Sequence, residues 1–588
     1  MKIPAPANPR AVAVTSAFAL MLVFALALTA PAAQPGGGTA NVASLSNCVQ
    51  VDVAVAPDDA ASLQPLIAAY EKASPKAGGR CAAFRIEPRP SGSVADTLVA
   101  GWKPATDGPA PVVWLPGSSV WVSIVRARVA AAGGTSIMPS DVTGFAQSPF
   151  VIAMPKPMAE ALGWPSKQLG FSDLVAIGTD PRGWGSLGHP EWGGLRLGKT
   201  NPLLSTTGLE ALIAAYFAAS HVSQDLTADN LAYPKVVAFV KGVELATVHY
   251  GESDGTFLQN LAQADDAGQS LQYVSAIALE ERQMIAYNQG RFSSKGKPPT
   301  VPLAAIYPKE GTLISDNPFV VLDAPWVNDA QRQAAAGLLS FLAAPAQQAA
   351  LVQAGYRDAS GKVAPSPAGA GTLADQPKVV IKPPSGGVLA KVQASWWNVR
   401  KPARVLLIVD TSGSMDDVVQ GSNTKLDLVK AALLAAIGQV GDDDELGLWS
   451  FSDQHHELVA VGRVGSQRDK LKAAIAGLRA NGGTLLYQSV LDGWNYVRQT
   501  ADPLHISAVV VLTDGQDNGS PDGELNKLTS SLSGQPAAGS VRVFTVGYGH
   551  DADKADLTKI ATSARGEAYD ASDPTLIREV FLAVLSNF

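Results

Sequence analysis

No basic run occurs anywhere in this chain. Lys and Arg number 45 against 52 Asp and Glu, a net charge of -7. Binding a phosphate backbone needs a clustered positive footprint, so a nucleic-acid partner is not expected. Charge is scarce overall, at 16% of residues against 46% hydrophobic, which excludes global disorder. Internal repeats are missing as well. Cysteine is nearly absent, with only Cys48 and Cys81. In an exported chain such a pair points to one disulfide, whose closure contributes about 3 kcal/mol in the chain-entropy model. Two buried free thiols are the alternative. At 588 residues the chain exceeds one hydrophobic core, so two or three folding units are expected.

One long apolar run exists, and it lies at the N-terminus. Lys2 and Arg10 precede the uncharged stretch Ala11 to Ala30, and Pro31, Ala32, Ala33 and three glycines follow. A basic start, an apolar centre and small residues read as an export signal, with Ala30-Pro31-Ala32 as a cleavage site. The run is also long enough to span a bilayer as an uncleaved anchor. Residues 1–33 are thus a signal peptide or a membrane anchor, and 34–47 a linker.

From Cys48 onward, short apolar strands alternate with helical stretches. Strands are expected at 51–55, 83–86, 111–115 and 150–154, and helices at 60–73, 94–102 and 209–219. This alternation predicts parallel sheets. Phe150 to Met154 would open a second lobe, Ala304 to Tyr307 would return to the first, and a helix at 329–343 would close the unit at 357. Residues 358–400 are rich in Pro, Gly, Ala and Ser and read as a linker. Its short helix, 388–397, is expected to pack under the last domain through Trp396 and Trp397. Residues 401–588 again alternate buried strands with helices, the pattern of a doubly wound α/β sheet.

In that last unit the strand 405–409 runs into Asp410-Thr411-Ser412-Gly413-Ser414, and the strand 506–512 into Thr513-Asp514-Gly515. Both acids sit at the C-terminal ends of parallel strands, where such sheets place ligands. Asn481-Gly482-Gly483-Thr484 opens a helix and adds a third hydroxyl. Hard oxygen donors without sulfur or imidazole suit Mg²⁺, or Mn²⁺ or Ca²⁺, rather than Zn²⁺. The pattern Asp410-x-Ser412-x-Ser414, with Thr484 and Asp514 following, resembles the metal-ion-dependent adhesion site of von Willebrand factor A and integrin I domains. The resemblance covers residues 401 to 588. It implies that Ser412, Ser414 and Thr484 contact the metal, that Asp410 and Asp514 act partly through waters, and that an acidic group of a protein partner fills an open position.

Other signals are weaker. Gly193 to Thr200 fits the phosphate-loop pattern G-x-x-x-x-G-K-T, but no strand precedes it and Pro202 opposes a helix start, so it reads as coincidence. His456-Glu457 lacks the second histidine of a zinc protease, since residue 460 is Ala, and His455–His456 reads as a surface loop. Ser412 lies outside any G-x-S-x-G elbow, and no catalytic constellation emerges. Ser205-Thr206-Thr207-Gly208 precedes an apolar helix, as an N-cap or an anion site. Together with Pro90-Ser91-Gly92-Ser93, Gly117-Ser118-Ser119, Lys199 to Pro202, and Glu280 ahead of Tyr287-Asn288, this pattern resembles a two-lobed bacterial extracellular solute-binding protein over residues 48–357. That resemblance implies an interlobe cleft lined by Ser91, Ser93, Ser118, Ser119, Thr206 and Thr207, and a small solute such as an oxyanion. The expectation is therefore an exported or membrane-anchored binding protein, at the cell surface or beyond it. It is not an enzyme. Metal-dependent capture of an acidic protein ligand is its main activity, and a solute receptor for transport or sensing is the alternative.

Overall fold

The computed structural model describes residues 47–588, except 223, 252, 359–360, 362–370, 374, 439, 522, 536–539 and 586. The expected signal or anchor (1–33) lies outside the described residues, as do nearly all of the 34–47 linker and much of residues 359–374. Among the described residues no single helix is long and apolar enough to cross a membrane.

The first lobe is built on the strand Val49–Val55, which pairs in parallel with Arg80–Pro88 and Val113–Leu115. Cys48 and Cys81 are disulfide-bonded at the edge of this pairing. The second lobe centres on Ser148–Pro155, buried along its whole length, with Ala276–Glu280, Leu197–Thr200 and Thr247–Gly251 beyond it. Leu303–Ile306 pairs antiparallel with Ser148–Pro155 and so stays in this second sheet. The expected return at 304–307 is corrected to Pro318–Val321, which pairs antiparallel with Val113–Leu115. A four-residue buried run identifies a strand but carries no information about which sheet accepts it.

The helix Gly386–Val399 corrects a second expectation. It packs on the helices Ser119–Ala131, Thr206–Ser220 and Pro234–Leu245 of the N-terminal unit, not under the last domain. Trp396 is fully buried with its ring 5.0 Å from that of Tyr250, whereas Trp397 is 44% exposed. Gly386 permits the approach, since a Cβ there would meet the Ser123 carbonyl oxygen at 2.2 Å.

The C-terminal sheet has the order His455–Arg463, Glu445–Phe451, Ala403–Asp410, Ile506–Thr513, Arg542–Tyr548, Ala568–Ala571. All pairings are parallel except that of the edge strand His455–Arg463. His455 and His456 therefore sit on an edge strand and not in a loop, and the His455 ring stacks on Trp449 at 4.8 Å. Strand periodicity explains the layering. Val405, Leu407 and Val409 face one helix layer with Val429, Leu433 and Phe581, while Leu406 and Ile408 face the other with Val490, Leu528 and Ile560. The first of these layers merges with the core beneath Trp396 and Val399, so one apolar cluster runs through the domain junction.

Candidate metal centre and interlobe pocket

The central strand of the C-terminal sheet, Ala403–Asp410, has its sequence-later neighbours on opposite sides. The loops leaving it and Ile506–Thr513 consequently diverge and open a crevice at their C-terminal ends. Asp410 is the floor of that crevice and is fully buried. Its Oδ1 accepts the Ser412 backbone N–H at 2.7 Å and its Oδ2 the Thr513 hydroxyl at 2.5 Å. The Ser412 and Ser414 hydroxyls lie 3.1 Å apart, and Ser414 Oγ donates to Asp514 Oδ1 at 2.8 Å.

A third loop is tied in by backbone bonds. Gly413 N–H donates to the Gly482 carbonyl at 3.0 Å and Asn481 N–H to that of Thr411 at 2.7 Å. Gly482 has φ +86°, and a side chain there would collide with the Asp453 carboxylate. A Cβ on Gly515 would lie 3.5 Å from Thr484 Oγ1, so the threonine hydroxyl adjoins the loop that carries Asp514. The structure thus gathers Asp410, Ser412, Ser414 and Asp514 into one hydrogen-bonded chain with Thr484 beside it. The floor is buried while Gly413, Ser414 and Gly482 are exposed, leaving the centre open on one side.

Sequence reasoning missed Lys425. Its Nζ lies 2.7 Å from Asp514 Oδ2 and 3.1 Å from Asp417 Oδ2. A readable signal existed: Thr424 and Asp427 form a capping box, which fixes Lys425 at the first turn of the helix Lys425–Ile437, pointing at the crevice. Burial works against the Lys425 charge, but hydrogen bonds to Asp514 and Asp417 outweigh it and raise its pKa. Burial, opposed by hydrogen bonds from Thr513 and Ser412, pushes Asp410 up to about 6. Two carboxylates and three hydroxyls, with no sulfur or imidazole among them, fit a hard divalent cation.

Between the lobes lies a second candidate, a narrow pocket. Ser91, Thr206 and Thr207 line it, together with Asp58, Asp59 and Glu280. Ser93, Ser118 and Ser119 are not in the lining. The Ser118 hydroxyl caps its own helix by accepting Val120 N–H at 3.4 Å, and Ser119 N–H donates to Asp316 Oδ1 at 2.7 Å. The lobes meet tightly here: Gly92 N–H donates to the Leu204 carbonyl at 2.9 Å. The Thr206 hydroxyl accepts Trp121 Nε1–H at 3.0 Å, and that of Thr207 donates to Asp254 Oδ1 at 2.8 Å. The acidic lining was missed as a site. Its signal was the Pro57-Asp58-Asp59 start of a helix directly after a buried strand.

The phosphate-loop pattern is a coincidence of sequence. Lys199 lies within the strand Leu197–Thr200, its side chain 1% exposed, with Nζ 2.5 Å from Glu244 Oε1.

Comparison with known proteins agrees with both halves. Residues 51–357 match the family described as bacterial extracellular solute-binding protein, and residues 405–582 match the von Willebrand factor type A domain. An uncharacterized protein of Mycobacterium tuberculosis is 24% identical over 508 residues, covering 79% of this chain and 70% of that one. Inter-alpha-trypsin inhibitor heavy chain H4 of Sus scrofa is 28% identical over 195 residues, 32% of this chain and 20% of that one. Among solved structures, a periplasmic thiamin binding protein is 15% identical, covering 59% of this chain and 94% of its own, with TM-score 0.39. A von Willebrand factor type A protein from Catenulispora acidiphila is 24% identical, covering 32% of this chain and 42% of its own, with TM-score 0.28. The chain belongs to the bacterial extracellular solute-binding protein family, and behind that domain it carries a von Willebrand factor type A domain.

Proposed function

We propose that this is an exported binding protein, not an enzyme, whose C-terminal domain holds a divalent cation, Mg²⁺ for preference, and uses it to grip an acidic group of a protein partner. The observation that carries the reading is the run of oxygens Ser412 Oγ, Ser414 Oγ and Asp514 Oδ1, linked at 3.1 and 2.8 Å across two loops at an open crevice. Ser412, Ser414 and Thr484 would hold the ion, with Asp410 and Asp514 behind them. Bound there, the ion supplies positive charge for a carboxylate, because neutral hydroxyl donors leave it under-neutralised. Asp410 orients the Ser412 loop through its backbone N–H and locks it to Thr513. Lys425 fixes Asp514 from the far side.

The test is calorimetric titration and thermal melting of the full chain with MgCl₂ and then EDTA. A ligand that binds only the folded state at a hundredfold excess over Kd adds about 2.7 kcal/mol. Saturable Mg²⁺ uptake is expected, lost in Asp410→Ala and weakened in the exposed Ser414→Ala. Wild-type Mg²⁺ affinity in a folded Asp410→Ala variant would overturn the assignment.

A second reading, capture of a small solute between the lobes for transport or sensing, is favoured by the lined pocket. That pocket carries the carboxylates of Asp58, Asp59 and Glu280 on its wall, with the buried Arg282 guanidinium set against Asp59 and Glu280.

A further inference from the structure

We infer that the helix Gly386–Val399 is a strap that holds the two lobes of the N-terminal unit shut, so that the interlobe pocket opens only when the strap leaves its seat.

The strap is amphipathic in place. Leu389, Val392, Gln393, Trp396 and Val399 are buried, at the spacing of one helix face, while Lys391, Ala394, Trp397 and Asn398 are exposed. Its start lies on the first lobe. A Cβ on Gly386 would stand 2.2 Å from the Ser123 carbonyl oxygen and 3.0 Å from the Ala127 methyl, both on the helix Ser119–Ala131. Its end lies on the second lobe. Ser395 Oγ is 2.8 Å from the Tyr216 hydroxyl on the helix Thr206–Ser220, and the Trp396 ring is 5.0 Å from that of Tyr250 on the strand Thr247–Gly251. The strap also packs on the helix Pro234–Leu245 of that lobe. Leu389, Val392 and Trp396 share one apolar cluster with Trp121 and Val125 of the first lobe and Leu212 and Val240 of the second. One helix face thus belongs to both lobes.

The lobes also touch directly. Arg282 of the second lies 2.8 Å from Asp59 Oδ1 of the first, and Gly92 N–H donates to the Leu204 carbonyl at 2.9 Å. The pocket between them measures ≈ 10 Å³, room for one water. As lobes part, polar contacts of this kind are exchanged for contacts with water. The strap has no such exchange. Moving either lobe away uncovers Leu389, Val392 or Trp396, at a cost that grows with the apolar area exposed. The end of the strap is fixed as well, because Lys401 Nζ donates to the Thr247 carbonyl at 3.1 Å just before the central strand Ala403–Asp410 begins. Access to the pocket is therefore tied to the segment that carries the last domain.

The experiment measures the interlobe distance in the full chain by double electron–electron resonance. Spin labels go on cysteines introduced at the exposed Gln64 of the first lobe and Gln263 of the second, since the two native cysteines are already joined. Gly386→Ala drives the start of the strap off Ser123 while favouring the helix itself, and Gly387→Ala, whose Cβ meets nothing within 4 Å, is its control. Trp396→Ala empties the seat on the second lobe. One narrow distance is expected in the parent and in Gly387→Ala, and a second, longer distance in Gly386→Ala and Trp396→Ala. Gly386→Ala serves alone if Trp396→Ala fails to fold. Folded strap variants that keep the parent distance would overturn the inference. So would a parent that already populates both distances, or a Gly387→Ala variant that opens as far as Gly386→Ala.

Discussion

Replacing Lys199 by methionine separates a structural lysine from a phosphate-binding one. Its Nζ and Glu244 Oε1 are 2.5 Å apart, with side chains 1% and 0% exposed. Glu244 Oε2 accepts the Tyr250 hydroxyl at 2.7 Å, and that hydroxyl accepts Lys401 N–H at 3.2 Å, so the pair anchors the junction of the two halves. Removing the ammonium strands a carboxylate in an apolar interior. Breaking such a buried pair costs about 3–5 kcal/mol, because the surviving carboxylate keeps only the Tyr250 hydroxyl and has no counter-charge. At about 2 °C per kcal/mol for a unit of this size, the melting temperature should fall by about 6–10 °C. The double variant Lys199→Met, Glu244→Leu should lose less than the single one, since no charge is left buried. Melting followed by tryptophan fluorescence, with ATP binding measured alongside, checks this. A Lys199→Met variant melting within about 2 °C of the wild type would refute the reasoning, as would ATP affinity that the substitution abolishes.

Three further outcomes follow from other parts of the molecule. Gly92→Ala places a Cβ 1.8 Å from the Leu203 carbonyl oxygen, so the lobes must part; scattering should report a larger radius of gyration and melting a loss of about 1–3 kcal/mol. Burial lowers Lys401 from 10.5 to about 8. A cation with a depressed folded pKa is penalised below that pKa and relieved as pH rises, so stability attributable to Lys401 should climb by up to about 3 kcal/mol between pH 8 and 10.5, a rise missing from Lys401→Met in paired denaturation curves. Joint Cys48→Ser and Cys81→Ser substitution opens a closure spanning 33 positions and should cost about 3–4 kcal/mol by urea denaturation.

The C-terminal domain was legible because its chemistry is local. Asp410, Ser412 and Ser414 lie within five residues at a strand end, and the apolar strands on either side are buried on both faces, which leaves a strong pattern. The N-terminal pocket was less legible because its acids come from separate helix starts. Asp58 and Asp59 open one helix and Glu280 caps another, and nothing in their spacing says that they converge. Serines and threonines drew attention instead, and most of those proved to cap helices or to tie one lobe to the other. The linker helix was misplaced for a similar reason. Two adjacent tryptophans announce a buried face but not its partner, and the answer lay in Gly386, which lets the helix start lie against Ser123.

The short passage from that helix into the C-terminal sheet has a mechanical consequence. Val399 ends the helix and Ala403 begins the central strand, so only Arg400, Lys401 and Pro402 intervene, about 10 Å of chain when fully drawn out. Arg400 is paired with Asp444, Lys401 Nζ donates to the Thr247 carbonyl at 3.1 Å, and at the far terminus Tyr250 N–H donates to the Asn587 carbonyl at 3.3 Å. Both ends of the last domain are thereby fastened to the same strand of the second lobe. A pull applied at the Asp410 crevice travels down Ala403–Asp410 and meets no slack. The tension reaches the sheet that walls the interlobe pocket, and the two halves recoil together.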